Sequence, residues 1–274
     1  DKKIKTIEKY TNFNALKFND EKKTKCNLLI GADGKNSFVG KSFGLGRIVF
    51  DFDQISIAGA VKHDKEHEGN AYQIFFPGGP FAILPMKKNI SSFVWTNGKE
   101  EMKKIIQLKK NDYIKELEKR FCGILGNFTL IGKTYNFPLS FNISEKIIDK
   151  RLVLIGEAAN SVHPIAGQGL NLGLRDVATL LEVIVEAKNR GEDFGHPSVL
   201  KRYEDWRSLD RLSVSASTTL ANFFFSNEKF FFDILKDKGM NIVNSNSFLK
   251  NIFCKEAMGI NGDLPKIMQR NFIF

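Results

Sequence analysis

Residues Arg151–Gly191, RLVLIGEAANSVHPIAGQGLNLGLRDVATLLEVIVEAKNRG, constrain the fold of this chain more than any other stretch. Leu152–Ile155 is a run of four apolar residues closed by Gly156, which suits a strand buried on both faces. A turn-forming segment with Pro164, Gly167 and Gly169 follows. After it, Leu170, Leu174, Val177, Leu181 and Ile184 recur at spacings of three and four and so share one face of a helix. Asn189–Arg190–Gly191 supplies a cationic last turn and a glycine stop. The pattern is strand, glycine-rich loop, helix.

Gly167 and Gly169 flank Gln168, so no Cβ holds a flat or bulky ligand away from the backbone. The helix start that follows presents unpaired N–H groups and a partial positive charge. Such a terminus can hold a phosphate, or stabilise the negative charge of a reduced isoalloxazine ring. Tight strand–helix packing alone would also call for the glycines.

Two segments resemble one family. GEAANSVHPIAGQGLNLGLRDVATL is similar to the second flavin fingerprint of the class A flavoprotein monooxygenases, GDAAHxxxPxxGQGxNxGxxDA, and HPIAGQGLNLGLRDV is most similar to the ubiquinone-biosynthesis hydroxylases. LLIGADGKNSFVG, Leu28–Gly40, resembles the family's GADGxxSxVR segment, with Gly40 where the pattern has arginine. Weaker similarity extends to FFPGGPFAILPM, to Phe137–Pro138–Leu139 and to KEAMGINGDLP, and so to nearly the whole chain.

The resemblance implies an α/β (α+β) architecture: an incomplete para-hydroxybenzoate-hydroxylase-like FAD domain, an inserted mixed β-sheet substrate domain and a C-terminal helical region. On that reading residues 1–41 end the first part of the FAD domain, 42–150 form the substrate-binding sheet domain, 151–191 return to the FAD domain, and 192–274 are helical. The resemblance also implies FAD as cofactor, NADH or NADPH as co-substrate, and O2-dependent hydroxylation of a lipid-like, polyprenylated phenol. Carried over by position, the cofactor residues are Gly31, Asp33, Gly34, Gly156, Glu157, Pro164, Gly167, Gln168, Gly169 and Asn171. Asp33 and Glu157 would face hydroxyls, and the Pro164–Asn171 loop would lie against the flavin ring. No residue is marked as the base that activates the phenol, and no metal is expected.

Departures from the pattern keep other readings open. Glu157 stands where the family has Asp, and Asn160 where it has His. The strand–GxGxxG–helix unit that opens the family is not found, and residue 1 is Asp. The expectation is therefore the C-terminal part of a longer enzyme. The alternatives are a non-catalytic member acting as a subunit of a biosynthetic complex, or a flavin hydroxylase for a soluble phenol.

Composition narrows the partners. The 274 residues are 42% hydrophobic and 26% charged, an ordinary globular content. A net charge of +10 is spread over scattered lysines without any RNA-binding module, so a nucleic-acid partner is not expected. Attraction to anionic lipid headgroups suits a lipid-tailed substrate. Cys26, Cys122 and Cys254 are too few and too widely spaced for a metal or disulfide framework, which points to a reducing compartment. With no long apolar run, the expectation is a cytoplasmic protein, with peripheral attachment at the inner membrane face as an option.

The remaining chain predicts short strands around Ile4–Thr6 and Phe13–Phe18, and a compact strand Cys26–Ile30. A strand over Phe50–Ala60, strands Tyr72–Phe76 and Phe81–Leu84 about a Pro77–Pro80 turn, and a strand Ser92–Thr96 come next. Lys99–Phe121 reads as two amphipathic helices, Thr129–Leu139 as a strand and Leu200–Leu212 as helix. Asp33–Gly34 also reads as a plain turn with Ser37 capping the next segment. His63 and His67, four apart in a polar loop, read as solvated. Phe223–Phe225 and Phe230–Phe232 read as packing for a helical subdomain, or as an apolar patch for a membrane, a partner or a polyprenyl tail.

Overall fold

The computed structural model describes residues 2–164, 167–226, 239, 241–260 and 262–269. In chain order the elements begin with β1 (Ile4–Lys9), β2 (Asn14–Phe18), β3 (Lys23–Cys26), β4 (Leu29–Gly31), α1 (Phe38–Ser42), β5 (Arg47–His63), β6 (Tyr72–Phe76), β7 (Gly79–Pro85) and β8 (Ile90–Gly98). They continue with α2 (Lys99–Ile106), α3 (Lys110–Phe121), β9 (Phe128–Ser144), β10 (Ile148–Asp149), β11 (Leu152–Leu154) and β12 (Asn160–Ser161). The helices α4 (Gln168–Asn189), α5 (Pro197–Ser226) and α6 (Ser247–Ala257) follow. The chain packs into two compact units: Asp1–Phe50 with Phe141–Thr219 and Asn246–Phe274, and Asp51–Ser140 with Leu220–Ser245.

In the first unit β4 lies parallel to β11, with Leu29 opposite Leu152 and Gly31 opposite Leu154. β10 joins β11 from the other side, antiparallel. Leu152, Val153 and Leu154 are fully buried, as the apolar run requires of a strand covered on both faces. They pack with Leu29, Val39, Phe43, Ile147, Leu180, Val183 and Tyr203. The hydroxyl of Tyr203 donates to the Leu154 carbonyl at 3.1 Å, and burial pushes its phenol well above the usual range.

One expectation changes here. The strand predicted over Cys26–Ile30 is broken at Asn27–Leu28, so Cys26 ends β3 and Leu29 begins β4. The cause lies far away in sequence. Buried Arg151 donates from Nη1 to the Asn27 carbonyl at 2.9 Å, and its own carbonyl accepts from Leu29 N–H at 2.9 Å. Most of the apolar stripe of α4 faces outward, with Leu170 73% exposed and Leu181 45%, while Ile184 at its end packs against the core. Toward the core α4 turns Leu172, Ala178, Leu180, Val183 and Ala187, together with Arg175, Asp176 and Thr179. Close approach to the turn after β11 selects small and hydrogen-bonding residues there, because Gly173 meets Gly156.

In the second unit β5, β8, β7 and β6 run antiparallel in that order. One sheet face carries Ile57, Val61, Phe81, Ile83, Phe93 and Trp95, which pack with Met102 and Ile105 of α2 and Leu117 and Phe121 of α3. The ring of Phe121 lies edge-on to Phe81 at 5.1 Å and against Phe128 at 4.4 Å. Successive strand residues alternate faces, so Ser56, Ala58, Ala82, Val94 and Thr96 take the other side, where the Ser56 and Thr96 hydroxyls meet at 2.6 Å. His63 and His67 are buried here, not solvated. The ring of His63 bonds the Lys65 carbonyl at 2.6 Å and the Ser91 hydroxyl at 2.9 Å, and His67 Nδ1 accepts from Gly69 N–H. The loop folds back over its own backbone, which a polar composition does not reveal. The rings of Phe223–Phe225 and Phe230–Phe232 lie outside the described residues.

Candidate functional site

Parallel strands open their carboxyl ends on the same side, where ligands of α/β sheets gather. β4 and β11 do so here, and Ile155 N–H donates to the Gly31 carbonyl at 3.0 Å as the last rung between them. The turns that follow therefore stand next to each other in the first unit.

The first turn runs from Gly31 to Ser37. A Cβ on Gly31 would come within 2.6 Å of Leu154 Cδ2, so glycine is needed for β4 to pass. Gly34 has φ +77°. Exposed Asp33 accepts from Val39 N–H at 3.1 Å, and Ser37 caps α1 by accepting from Gly40 N–H at 2.8 Å. The turn-and-cap reading of this segment is thus realised in its local structure, with the Asp33 carboxylate at the exposed edge.

The second turn, Gly156–Ala159, is held by charged side chains from several elements. Gly156 has φ +58°, and its N–H donates to Asp176 Oδ2 of α4 at 2.8 Å. Arg47 of β5 donates from Nη2 to the carbonyls of Ala158 at 2.7 Å and Glu157 at 3.3 Å. Arg211 of α5 donates to the Ala159 and Ser144 carbonyls. Glu157 is left exposed at the tip.

Behind the turn runs an ionic chain. Asp176 accepts from Arg207 Nε at 2.7 Å, Arg207 pairs with Asp210, Arg175 pairs with Asp210 at 2.7 Å, and Arg175 Nε donates to the Gly259 carbonyl. Burial pushes the Asp176 carboxyl up against the pull of Arg207 and the Gly156 N–H. The side chain of Asn160, in the pattern's histidine position, is buried and donates to the Ser215 hydroxyl at 3.1 Å. His163 is buried too, and burial lowers its pKa to about 4.

The third segment heads α4. Gly167, at φ +62°, is the N-cap residue, and no side chain caps the helix there. Its N–H bonds the Pro164 carbonyl at 2.9 Å, and Pro164 is exposed. A Cβ on Gly169 would meet no atom within 4 Å. Gln168 is buried and its Oε1 accepts from Asn171 Nδ2 at 3.2 Å. Gly259, at φ +68°, approaches Asn171, so the glycine of the KEAMGING segment packs on this loop. Gly173 sits against Gly156, and Gly169 is one helical turn, about 6 Å, further along.

The structure therefore gathers all the predicted residues in one unit, in two adjacent turns and one helix start. Asp33 and Glu157 are exposed at the edge, whereas Gly31 and Gln168 are buried supports. Arg47, Arg207 and Arg211 were not singled out by the sequence, and Asp176 was marked only as the aspartate that ends the second fingerprint. The spacing of Arg207 and Asp210 offered one local signal, but the partners of Arg47 are 12 and 110 positions away. Among the described residues no group of His, Cys, Asp and Glu is placed to hold a metal ion. FAD fits the residues present: the N–H groups at an uncapped helix start, open space at Gly169 and carboxylates at two turn tips suit its electron-rich ring and its hydroxyls.

Glycine turns at the ends of parallel strands, beside an uncapped helix start, define a nucleotide-cofactor-binding α/β protein. A family profile described as "FAD binding domain" matches residues 10–212, and the chain belongs to that family. It is 37% identical over 253 residues to the ubiquinone hydroxylase UbiL of Rhodospirillum rubrum, covering 91% of this chain and 59% of that protein. It is 32% identical over 233 residues to the 3-demethoxyubiquinol 3-hydroxylase of Escherichia coli, covering 85% and 59%. The chain thus spans a little under three fifths of these relatives. In fold it is similar to p-nitrophenol 4-monooxygenase PnpA of Pseudomonas putida, with a TM-score of 0.77 at 15% identity over 96% of this chain and 67% of that one. The anhydrotetracycline hydroxylase OxyS of Streptomyces rimosus gives a TM-score of 0.72 at 16% identity, over 98% and 54%.

Proposed function

We propose that this chain carries cofactor- and substrate-binding parts of an FAD-dependent monooxygenase that hydroxylates a polyprenylated phenol in ubiquinone biosynthesis. NADH or NADPH and O2 are the co-substrates. The observation that carries the reading is the convergence of both glycine turns and the uncapped α4 start in one unit of a chain 37% identical to a ubiquinone hydroxylase.

Bound FAD supplies the redox chemistry that transfers one oxygen atom to an electron-rich ring. The chain's own residues bind and orient it. The backbone at the start of α4, Gly169 included, would offer N–H groups to the electron-poor edge of the ring, where fixed donors stabilise negative charge without reorganising, while the Gly167 N–H stays on the Pro164 carbonyl. Asp33 and Glu157 would accept hydrogen bonds from hydroxyls of the cofactor. Residues 1–41 and 151–191 contribute to the FAD domain, joined by 42–50 and 141–150 of the same unit, the sheet within 51–140 holds the phenol, and 192–274 carry α5 and α6. No helix among the described residues is long and apolar enough to cross a membrane. Peripheral attachment from the cytoplasmic side, driven by basic surface charge, brings the protein to a lipid-tailed substrate.

The test is an FAD titration followed by visible absorbance and flavin fluorescence. It uses the chain alone and the chain joined behind the corresponding N-terminal part of the Rhodospirillum rubrum relative. Saturable binding is expected in at least one form, and its absence from both overturns the reading. Gly169→Ala sharpens the test. Its methyl meets no protein atom and alanine favours helix by about 0.8–1.0 kcal/mol, so stability is retained while FAD affinity falls about tenfold.

A further inference from the structure

We infer that Arg47 is a positioning residue that locks the two cofactor turns at a fixed spacing; the inference rests on the flavin reading above for its consequence. The ladder between β4 and β11 is short. Leu29, Ile30 and Gly31 pair with Leu152, Val153 and Leu154, and the last rung is Ile155 N–H to the Gly31 carbonyl. The two turns begin where that ladder ends, so strand pairing sets where they start and not how far apart their tips stand.

Arg47 joins them. Its Nη1 donates to the Lys35 carbonyl in the first turn. Its Nη2 donates to the Ala158 and Glu157 carbonyls in the second. Its Nε reaches the Ser144 hydroxyl at 3.4 Å, and that hydroxyl donates to the Ala158 carbonyl at 3.2 Å. A planar fork with fixed donors can hold two segments at once, which a lysine ammonium cannot do in the same geometry. Burial lowers the guanidinium pKa while the nearby Asp33 carboxylate pulls it back up. Arg47 thus fixes the distance between Asp33 and Glu157, the two exposed carboxylates that a hydroxyl-rich ligand would meet together.

Hydrogen exchange on the flavin-free chain tests the lock itself. Arg47→Ala is expected to raise exchange at least tenfold in both 35–40 and 156–161, with the β6–β7 hairpin unchanged. A response in one turn only, or in neither, overturns the inference. Arg47→Lys keeps the charge and much of the stem, so it serves if Arg47→Ala does not fold, and it too should loosen both turns. A double-mutant cycle on FAD affinity separates positioning from general stability. Arg47→Lys and Glu157→Asp should be non-additive by at least threefold, and additivity overturns the role toward the cofactor. If both turns loosen in a chain that never takes up FAD, the lock stands and the flavin reading falls.

Discussion

Around Gly156 the first unit is held by ions, whereas beneath its sheet the second unit is held by rings. Asp176, Arg207, Asp210 and Arg175 form a buried or half-buried chain that ends on backbone groups of Gly156 and Gly259. Phe81, Phe93, Trp95 and Phe121 instead fill a core through ring-to-ring contacts. Apolar packing tolerates small shifts, whereas a hydrogen-bonded ion pair fixes backbone atoms in place. On the proposed function, the turns of the first unit need set positions to meet a flat cofactor.

The largest effects come from breaking each core in turn. Asp176→Ala leaves buried Arg207 with Asp210 alone and the Gly156 N–H without its acceptor, and should cost about 3–5 kcal/mol, together with loss of flavin retention. Phe121→Ala should cost a similar amount, about 3–5 kcal/mol, through the cavity it leaves. FAD affinity of the folded fraction should survive it. Chemical denaturation with parallel FAD titrations compares the two, and equal loss of affinity in both would erase the contrast.

A smaller effect is expected at the turn itself. Gly156→Ala places a side chain at φ +58°, with its Cβ 3.9 Å from Gly173 Cα. The left-handed backbone should cost about 1–2 kcal/mol, read as a lower denaturation midpoint.

His163 adds a pH dependence to the first unit. The folded chain binds its proton only near pH 4, and the unfolded chain near pH 6.5. The unfolded state therefore holds more protons between those values, and stability falls as pH drops through this window. His163→Gln should remove that part of the slope in denaturation midpoints measured from pH 7 to pH 4. An unchanged slope would show that the burial of His163 does not govern it.

The mildest change is Glu157→Asp, which keeps the charge and shortens the reach by one methylene. It should alter FAD affinity a few-fold and leave stability unchanged. Unaltered affinity would remove Glu157 from the cofactor contacts.

The elements with strong local patterns were legible in the sequence. Leu152–Ile155 predicted β11, the 3.6-residue period predicted α4, and Lys99–Phe121 predicted α2 and α3. Each depends on neighbours in sequence. The break at Asn27–Leu28, the burial of His63 and His67 and the outward stripe of α4 were not legible, because each follows from groups distant along the chain.

The same division runs through the candidate site. By itself the sequence determined the glycines, since positive φ and close backbone approach leave a local mark at Gly34, Gly156 and Gly167. It also determined the carboxylates beside them, Asp33 and Glu157. Only the tertiary structure decided what holds the turns together. Arg47, Arg207 and Arg211 are charged residues of ordinary local context, Asp176 carries only its place in the fingerprint, and the four become partners only once β5, α4 and α5 converge on one turn. Hydrogen bonds and ion pairs are set by distance in space, and no local period records it.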